Sequence, residues 1–159
     1  DAVKSQAAAD QTMIRAGLRG SAQVTITLRD FAGTPVAVGA ANVRLVHGPG
    51  SASATALGPV EQSDNGTLVA TVTAGTRCGV DKIEVVVDHD PRDIVLMPAM
   101  TLTVTSPADL NLDGQLNDAD HGLFAEAFQF GSMEADFNGD EFVNGDDYDA
   151  FAERFEAGC

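Results

Sequence analysis

The chain has 159 residues, no Trp, two Cys and a formal net charge of −15. That length fits one domain, and so acidic a chain is excluded from nucleic-acid binding, which needs Lys and Arg on phosphates. No run approaches the ~18–20 apolar residues of a membrane span, so no membrane insertion is expected. The charge is uneven. From Pro107 onward there are fourteen acids and one base, Arg154, a net −13, which leaves −2 for the first 106 residues. A nearly neutral front and a strongly acidic tail are different kinds of object and argue for two domains.

Residues 1–20 are rich in Ala and Gln and lack strand alternation, while Met13, Ile14 and Leu18 sit near helical spacing. They read as a poorly ordered lead or a short helix. From Ser21 the pattern changes: Val24, Ile26 and Leu28 alternate with Thr25, Thr27 and Arg29, as in a strand with one buried face. Residues 30–35 make a turn, and Val43, Leu45 and His47 belong to the next strand. Residues 48–58, small and flexible, read as a surface loop. Asp64-Asn65-Gly66 is a hairpin-type turn; the overlapping Asn65-Gly66-Thr67 matches a glycosylation sequon, but the turn is the better reading. Thr67 to Thr73, Val80 to Asp88 and Ile94 to Thr105 supply further strands.

Several short strands without helical periods between them mean an antiparallel sandwich over residues 21–105. The segments Val24-Thr25-Ile26-Thr27-Leu28-Arg29-Asp30, Gly33-Thr34-Pro35-Val36, Val43-Arg44-Leu45, Asp64-Asn65-Gly66, Ala74-Gly75-Thr76 and Ile83-Glu84-Val85-Val86-Val87 together resemble a bacterial Ig-like domain of the invasin/filamin-like kind. That resemblance implies a spacer, a stalk or a binding platform. Thr105-Ser106-Pro107-Ala108 then forms a short linker, so the two parts are expected to sit close together.

The tail, residues 106–159, holds a repeat. Asp109 to Asp120 returns as Asp136 to Asp147, an offset of 27 residues. Oxygen-bearing side chains fall at places 1, 3, 5, 9 and 12: Asp109, Asn111, Asp113, Asn117 and Asp120, then Asp136, Asn138, Asp140, Asn144 and Asp147. This is the spacing of an EF-hand-type calcium loop, in which about six to eight oxygens surround a hard cation and place 7 offers its carbonyl. Gln115 and Phe142 occupy place 7. Leu116 and Val143, at place 8, would pack the loops together. Place 6 usually needs positive φ; it is Gly114 in one copy but Glu141 in the other, at a cost of about 1 kcal/mol. The second site is still expected to bind calcium, more weakly. Two calcium ions would remove four units of charge and couple binding to folding. After each loop an apolar stripe predicts a helix, with Leu123, Phe124, Ala127 and Phe128 in one and Tyr148, Phe151, Ala152 and Phe155 in the other.

The repeat D-x-N-x-D-x-x-[LV]-N-x-x-D, each copy followed by one helix and not preceded by one, resembles a type I dockerin. The expected fold class is therefore two domains: an all-β Ig-like antiparallel sandwich and a small all-α module of duplicated calcium loop and helix. The resemblance implies calcium-dependent docking onto a cohesin-domain protein, in an extracellular or cell-surface bacterial setting, as part of a larger multimodular protein. It places partner contacts at Asp118, Ala119, Ala125 and Glu126 in the first copy and at Gly145, Asp146, Ala152 and Glu153 in the second. Matched residues in the two copies would let one partner bind in either of two orientations. Asp118-Ala119 does not match Gly145-Asp146, so the symmetry is imperfect. The hydroxyl pairs and helix-borne base of the best-known dockerins are also missing.

An alternative is a calcium-stabilised structural cap, packed on its own Ig-like neighbour without a cohesin. The short linker favours it, as would a Cys78–Cys159 bond; from sequence these two are equally a disulfide or two free thiols. Catalysis is not expected. The acids sit in calcium spacing, where the cation holds them ionised. His47, His89 and His121 stand apart from any Cys or Ser motif, and no phosphate loop, zinc spacing or nucleophile elbow is present. With neither a signal peptide nor an initiating Met, the chain reads as a mature piece of something longer.

Overall fold

The computed structural model describes residues 1–17, 20–63 and 67–159. Leu18 and the Asp64-Asn65-Gly66 turn, with the sequon that overlaps it, lie outside the described residues. Two sheets face each other. One has the order β1–β3–β6–β5, with β1 Gln6–Ala9, β3 Ser21–Thr27, β5 Thr55–Gln62 and β6 Leu68–Ala74. The other has the order β2–β9–β7–β4, with β2 Met13–Arg15, β4 Val43–His47, β7 Gly79–Val87 and β9 Met100–Thr105, and the short β8 Ile94–Val95 also pairs with β7. All these pairs are antiparallel except β2 with β9.

Alternation sets the core. In β3, Ala22, Val24 and Ile26 are buried while Ser21, Gln23 and Thr25 are exposed, as period-2 geometry demands. They meet Leu68, Ala70 and Val72 of β6 and, from the other sheet, Ile14, Ile83, Val85, Leu102 and Val104.

Residues 1–20 are corrected from a lead or helix to two strands. Gln6–Ala9 pairs in register with Val24–Thr27 of β3, and Ile14, 2 % exposed, lies beside Val104 in parallel with β9. Three Ala in a four-residue strand carry no β signal of their own; pairing with a neighbour imposes the conformation. The loop expected over 48–58 is shorter than that, because β5 begins at Thr55. Its Gly58 and Pro59 sit at a register shift between Leu57 and Val60, on a strand that ends its sheet, where a bulge and a missing donor are tolerated. The single strand expected over Ile94 to Thr105 is two pieces, β8 and β9.

One polar group runs through the sandwich. Asp81, fully buried on β7, accepts from the N–H groups of Ala54 (3.3 Å) and Thr55 (2.9 Å) and from the Thr55 hydroxyl (2.6 Å), tying β5 of one sheet to β7 of the other. His47 Nε2 lies 3.4 Å from the same carboxylate and 3.1 Å from Thr55 Oγ1. Burial alone would raise the Asp81 pKa; the Thr55 hydroxyl, the Ala54 and Thr55 N–H groups and His47 outweigh it and hold it below the ordinary carboxylate value. A depressed folded-state pKa contributes stability above the unfolded value of about 3.9, lost as pH falls through the folded pKa. Asp81→Asn is therefore expected to destabilise the sandwich near neutral pH by roughly 1.5–3 kcal/mol. The gap from the unaltered protein should narrow below about pH 4, read by thermal melts across that range.

The expected fold class is corrected as well. Among the described residues the chain is predominantly β-sheet, with only two short helices near its C-terminus, α1 Asp118–Gln129 and α2 Gly145–Ala157, and 3-10 turns at Ala40–Asn42 and Met133–Ala135. A separate all-α domain is not found. The residues expected to be a linker are built in: Thr105, Ser106 and Ala108 are 7 %, 3 % and 0 % exposed, and Pro107 is half-buried. The physical reason is size. Around the helices the buried apolar residues of the cluster are Ala108, Phe124, Ala135 and Phe151, with Leu110, Leu116, Ala127, Phe128, Phe137, Val143 and Phe155 partly buried beside them, and so few residues bury too little area to stand alone. They are fastened to the sandwich. Cys78, just before β7, is bonded to Cys159; the Ser106 hydroxyl donates to the Gly158 carbonyl at 3.0 Å; Arg15 and Glu134 pair at 3.0 Å.

Candidate calcium loops and the exposed helix faces

In this C-terminal appendage the duplication persists in nearly every hydrogen bond of the loops. One carboxylate oxygen of Asp120 accepts from the N–H groups of Leu110 (2.8 Å) and Asn111 (3.2 Å), and the other from Asn117 (3.1 Å). Twenty-seven residues on, Asp147 accepts from Phe137 (2.8 Å), Asn138 (3.1 Å) and Asn144 (2.9 Å). Asp113 accepts from the side chain of Asn111 and the N–H of Gln115, as Asp140 does from Asn138 and Phe142. Asp109 accepts from the N–H groups of Asp113 and Gly114, and Asp136 from those of Gly139, Asp140 and Glu141.

These bonds bring together the residues at places 1, 3, 5, 9 and 12. Asp109, Asp120, Asp136 and Asp147 are buried, at 1 %, 0 %, 7 % and 0 % exposed. Asp113, Asp140 and the four Asn at places 3 and 9 are exposed. Gln115 and Phe142 are exposed too, Phe142 by 71 %, while Leu116 and Val143 join the cluster between the loops. In the second loop, carboxylate oxygens of Asp136, Asp140 and Asp147 all lie within 4.8 Å of one another. Carboxylates this close repel unless a cation or protons stand between them. For Asp147, burial alone would raise the pKa, but the N–H groups of Asn144, Asn138 and Phe137 hold it low, so the ionised form is favoured. An all-oxygen set of carboxylate, amide and backbone-carbonyl donors on a tight loop fits Ca2+. The residues that would hold it are Asp109, Asn111, Asp113, Gln115, Asn117 and Asp120 in one loop and Asp136, Asn138, Asp140, Phe142, Asn144 and Asp147 in the other. When bound, the ion supplies charge neutralisation and fixes the loop.

Two features escaped the sequence reading. Place 4 as well as place 6 is left-handed: φ is +57° at Leu112 and +81° at Gly114, then +79° at Gly139 and +70° at Glu141. Each loop thus carries one Gly and one side-chain-bearing residue at its two strained places, so the strain is shared between copies rather than confined to the second. Gly139 was the available signal. Second, Asn117 and Asn144 are helix N-caps, each closing a capping box with the Asp three residues later. The N-x-x-D pattern is therefore a helix start, whether or not it also spaces ligands for a cation.

The helices bury less than expected. Phe124 and Phe151 stack at 4.0 Å with an interplanar angle of 2°, and Phe137 meets both rings edge-on. Leu123 and Tyr148, expected on the apolar stripes, are 42 % and 47 % exposed. Among the residues expected to meet a partner, Asp118, Ala119, Ala125, Glu126, Gly145, Asp146 and Glu153 are exposed and Ala152 is half-buried.

The model of the family "Invasin, domain 3" matches residues 1–105. Among solved structures, the chain is similar to the Yersinia pseudotuberculosis adhesins InvD and InvE. For InvD the identity is 28 % and the TM-score 0.53, over 67 % of this chain and 28 % of that one; for InvE they are 28 % and 0.52, over 64 % and 26 %. It is also similar to invasin, a bacterial integrin-binding protein, at 28 % identity and a TM-score of 0.52, over 65 % of this chain and 19 % of that one. The chain thus spans less than a third of the length of each of these three. No curated protein matches it. The family match ends at residue 105, so both loops lie outside it. The chain is an extracellular or surface-exposed bacterial module and not an enzyme. By that match over about two thirds of its length, it belongs to the family of invasin domain 3.

Proposed function

We propose that this chain is a non-catalytic adhesin-type module whose C-terminal appendage takes up two Ca2+ and docks onto a cohesin-domain protein, within a larger multidomain surface protein. The observation that carries the reading is a division of labour. The acids at places 1 and 12 turn inward and are buried, whereas Ala125, Glu126 and Glu153 remain exposed. The contacts that fasten the appendage to the sandwich use Ser106, Glu134, Gly158 and Cys159 instead, which leaves those positions free for a partner.

The second reading, a calcium-stabilised structural cap, is favoured by the Cys78–Cys159 bond and the Ser106–Gly158 hydrogen bond, which fasten the appendage in place. Calorimetric titration of EDTA-treated protein with calcium, followed by capture on a panel of immobilised cohesin domains with calcium or EDTA, separates the two. Docking requires two calcium sites and calcium-dependent capture. Calcium uptake without capture leaves the cap. No uptake at about millimolar calcium, the range of extracellular modules, sinks both.

A further inference from the structure

On α1, Ala119, Leu123, Glu126 and Phe130 follow at intervals of four, three and four, the spacing of one helical stripe. All four are exposed, Leu123 at 42 % and Phe130 at 76 %. Phe124 and Phe128 of the same segment point into the core cluster. Exposing Leu and Phe there forfeits burial that the helix could have used. The equivalent stripe on α2, 27 residues later, reads Asp146, Ala150, Glu153 and Ala157. The duplication thus keeps the loops nearly bond for bond and keeps Glu126 as Glu153, but it replaces both large apolar residues with Ala.

We infer that the α1 stripe is the anchor of the docking surface, and that Leu123 and Phe130 seat in an apolar cleft with a basic rim on a partner protein. This rests on the docking reading and adds the helix, the anchors and the partner's charge. Exposed acids, Asp118 and Glu126, sit beside the anchors. Two calcium ions remove four units of the tail's −13, leaving −9. A second copy of this chain would bring the same acids against them, whereas a basic rim complements them. Because only one of the two related stripes carries large apolar residues, the partner engages in one orientation.

The test uses the full chain, calcium-loaded, and as probe the cohesin domain it binds best in the capture panel. Leu123→Ala and Phe130→Ala should each weaken the Kd by about thirtyfold, the scale of a buried apolar anchor. Glu61→Ala, which removes an exposed acid on β5 of the sandwich rather than on α1, should stay within about threefold. High salt should weaken binding severalfold. All variants should keep the calcium-dependent melt, because the altered side chains lie outside the core. Leu123 and Phe130 variants that bind like the unaltered chain overturn the inference while docking stands. So does indifference to salt, or a homodimer in sedimentation that Phe130→Ala dissolves. If no cohesin binds the unaltered chain, the docking reading fails and takes this inference with it.

Discussion

Replacing Asp120 and Asp147 together by Ala is expected to unfold the C-terminal appendage at every calcium concentration while the sandwich keeps its own melt. Each carboxylate is fully buried and accepts three backbone N–H groups. Removing an acceptor strands those donors at about 1–3 kcal/mol apiece. It also removes the proposed place-12 ligand and half of each capping box, the latter about 1 kcal/mol more per helix. A segment this small holds at most about 3–5 kcal/mol from its core, so the loss exceeds what it has. Helical circular dichroism with calcium and with EDTA is the measurement. Asp120→Asn with Asp147→Asn divides the causes: it keeps an acceptor oxygen but loses charge, so it should retain partial helix yet respond weakly to calcium. If the Ala double variant keeps its helical signal in EDTA, neither the metal nor the carboxylate hydrogen bonds hold the fold there.

Breaking the disulfide, by Cys78→Ser with Cys159→Ser, should produce the second largest change. The bond closes a loop with a sequence separation of 81. In the chain-entropy account that is worth about 4–5 kcal/mol, and measured losses run about 2–5 kcal/mol. The sandwich has its own core of Val24, Ile26, Val72, Ile83 and Leu102, so the loss falls on the appendage. Calorimetry should show one transition splitting into two, with the lower rising on calcium addition and the upper nearly unmoved. Ser106 and the Arg15–Glu134 pair remain, but an exposed ion pair contributes at most about 1 kcal/mol. An unsplit transition at the original temperature would mean that the Ser106 bond and packing suffice.

Legibility differed by element. Val24-Thr25-Ile26-Thr27 declared its strand because one face is buried and alternation follows from the pleat. Gln6–Ala9 did not, since its conformation comes from β3 alongside it. Thr55–Gln62 hid behind Gly58 and Pro59, turn residues in most contexts and tolerable here only at a bulge on the sheet's end. The repeat of the loops was legible place by place, because their hydrogen bonds join residues between two and ten apart along the chain, yet Leu112's left-handed backbone was not.

What the sequence by itself determined were the local features: the alternating strands, the repeated loop pattern at an offset of 27 and a helix after each loop. Each depends on neighbours a few residues away, through the pleat, the turn or the cap. What only the tertiary structure decided were the long-range matters. These are the joining of Cys78 to Cys159, the use of residues 1–20 as strands in two sheets, the burial of the supposed linker, and which apolar residues of α1 face water. Those depend on which surfaces the folded chain brings together, and a segment too small to bury its own core takes its position from the larger one beside it.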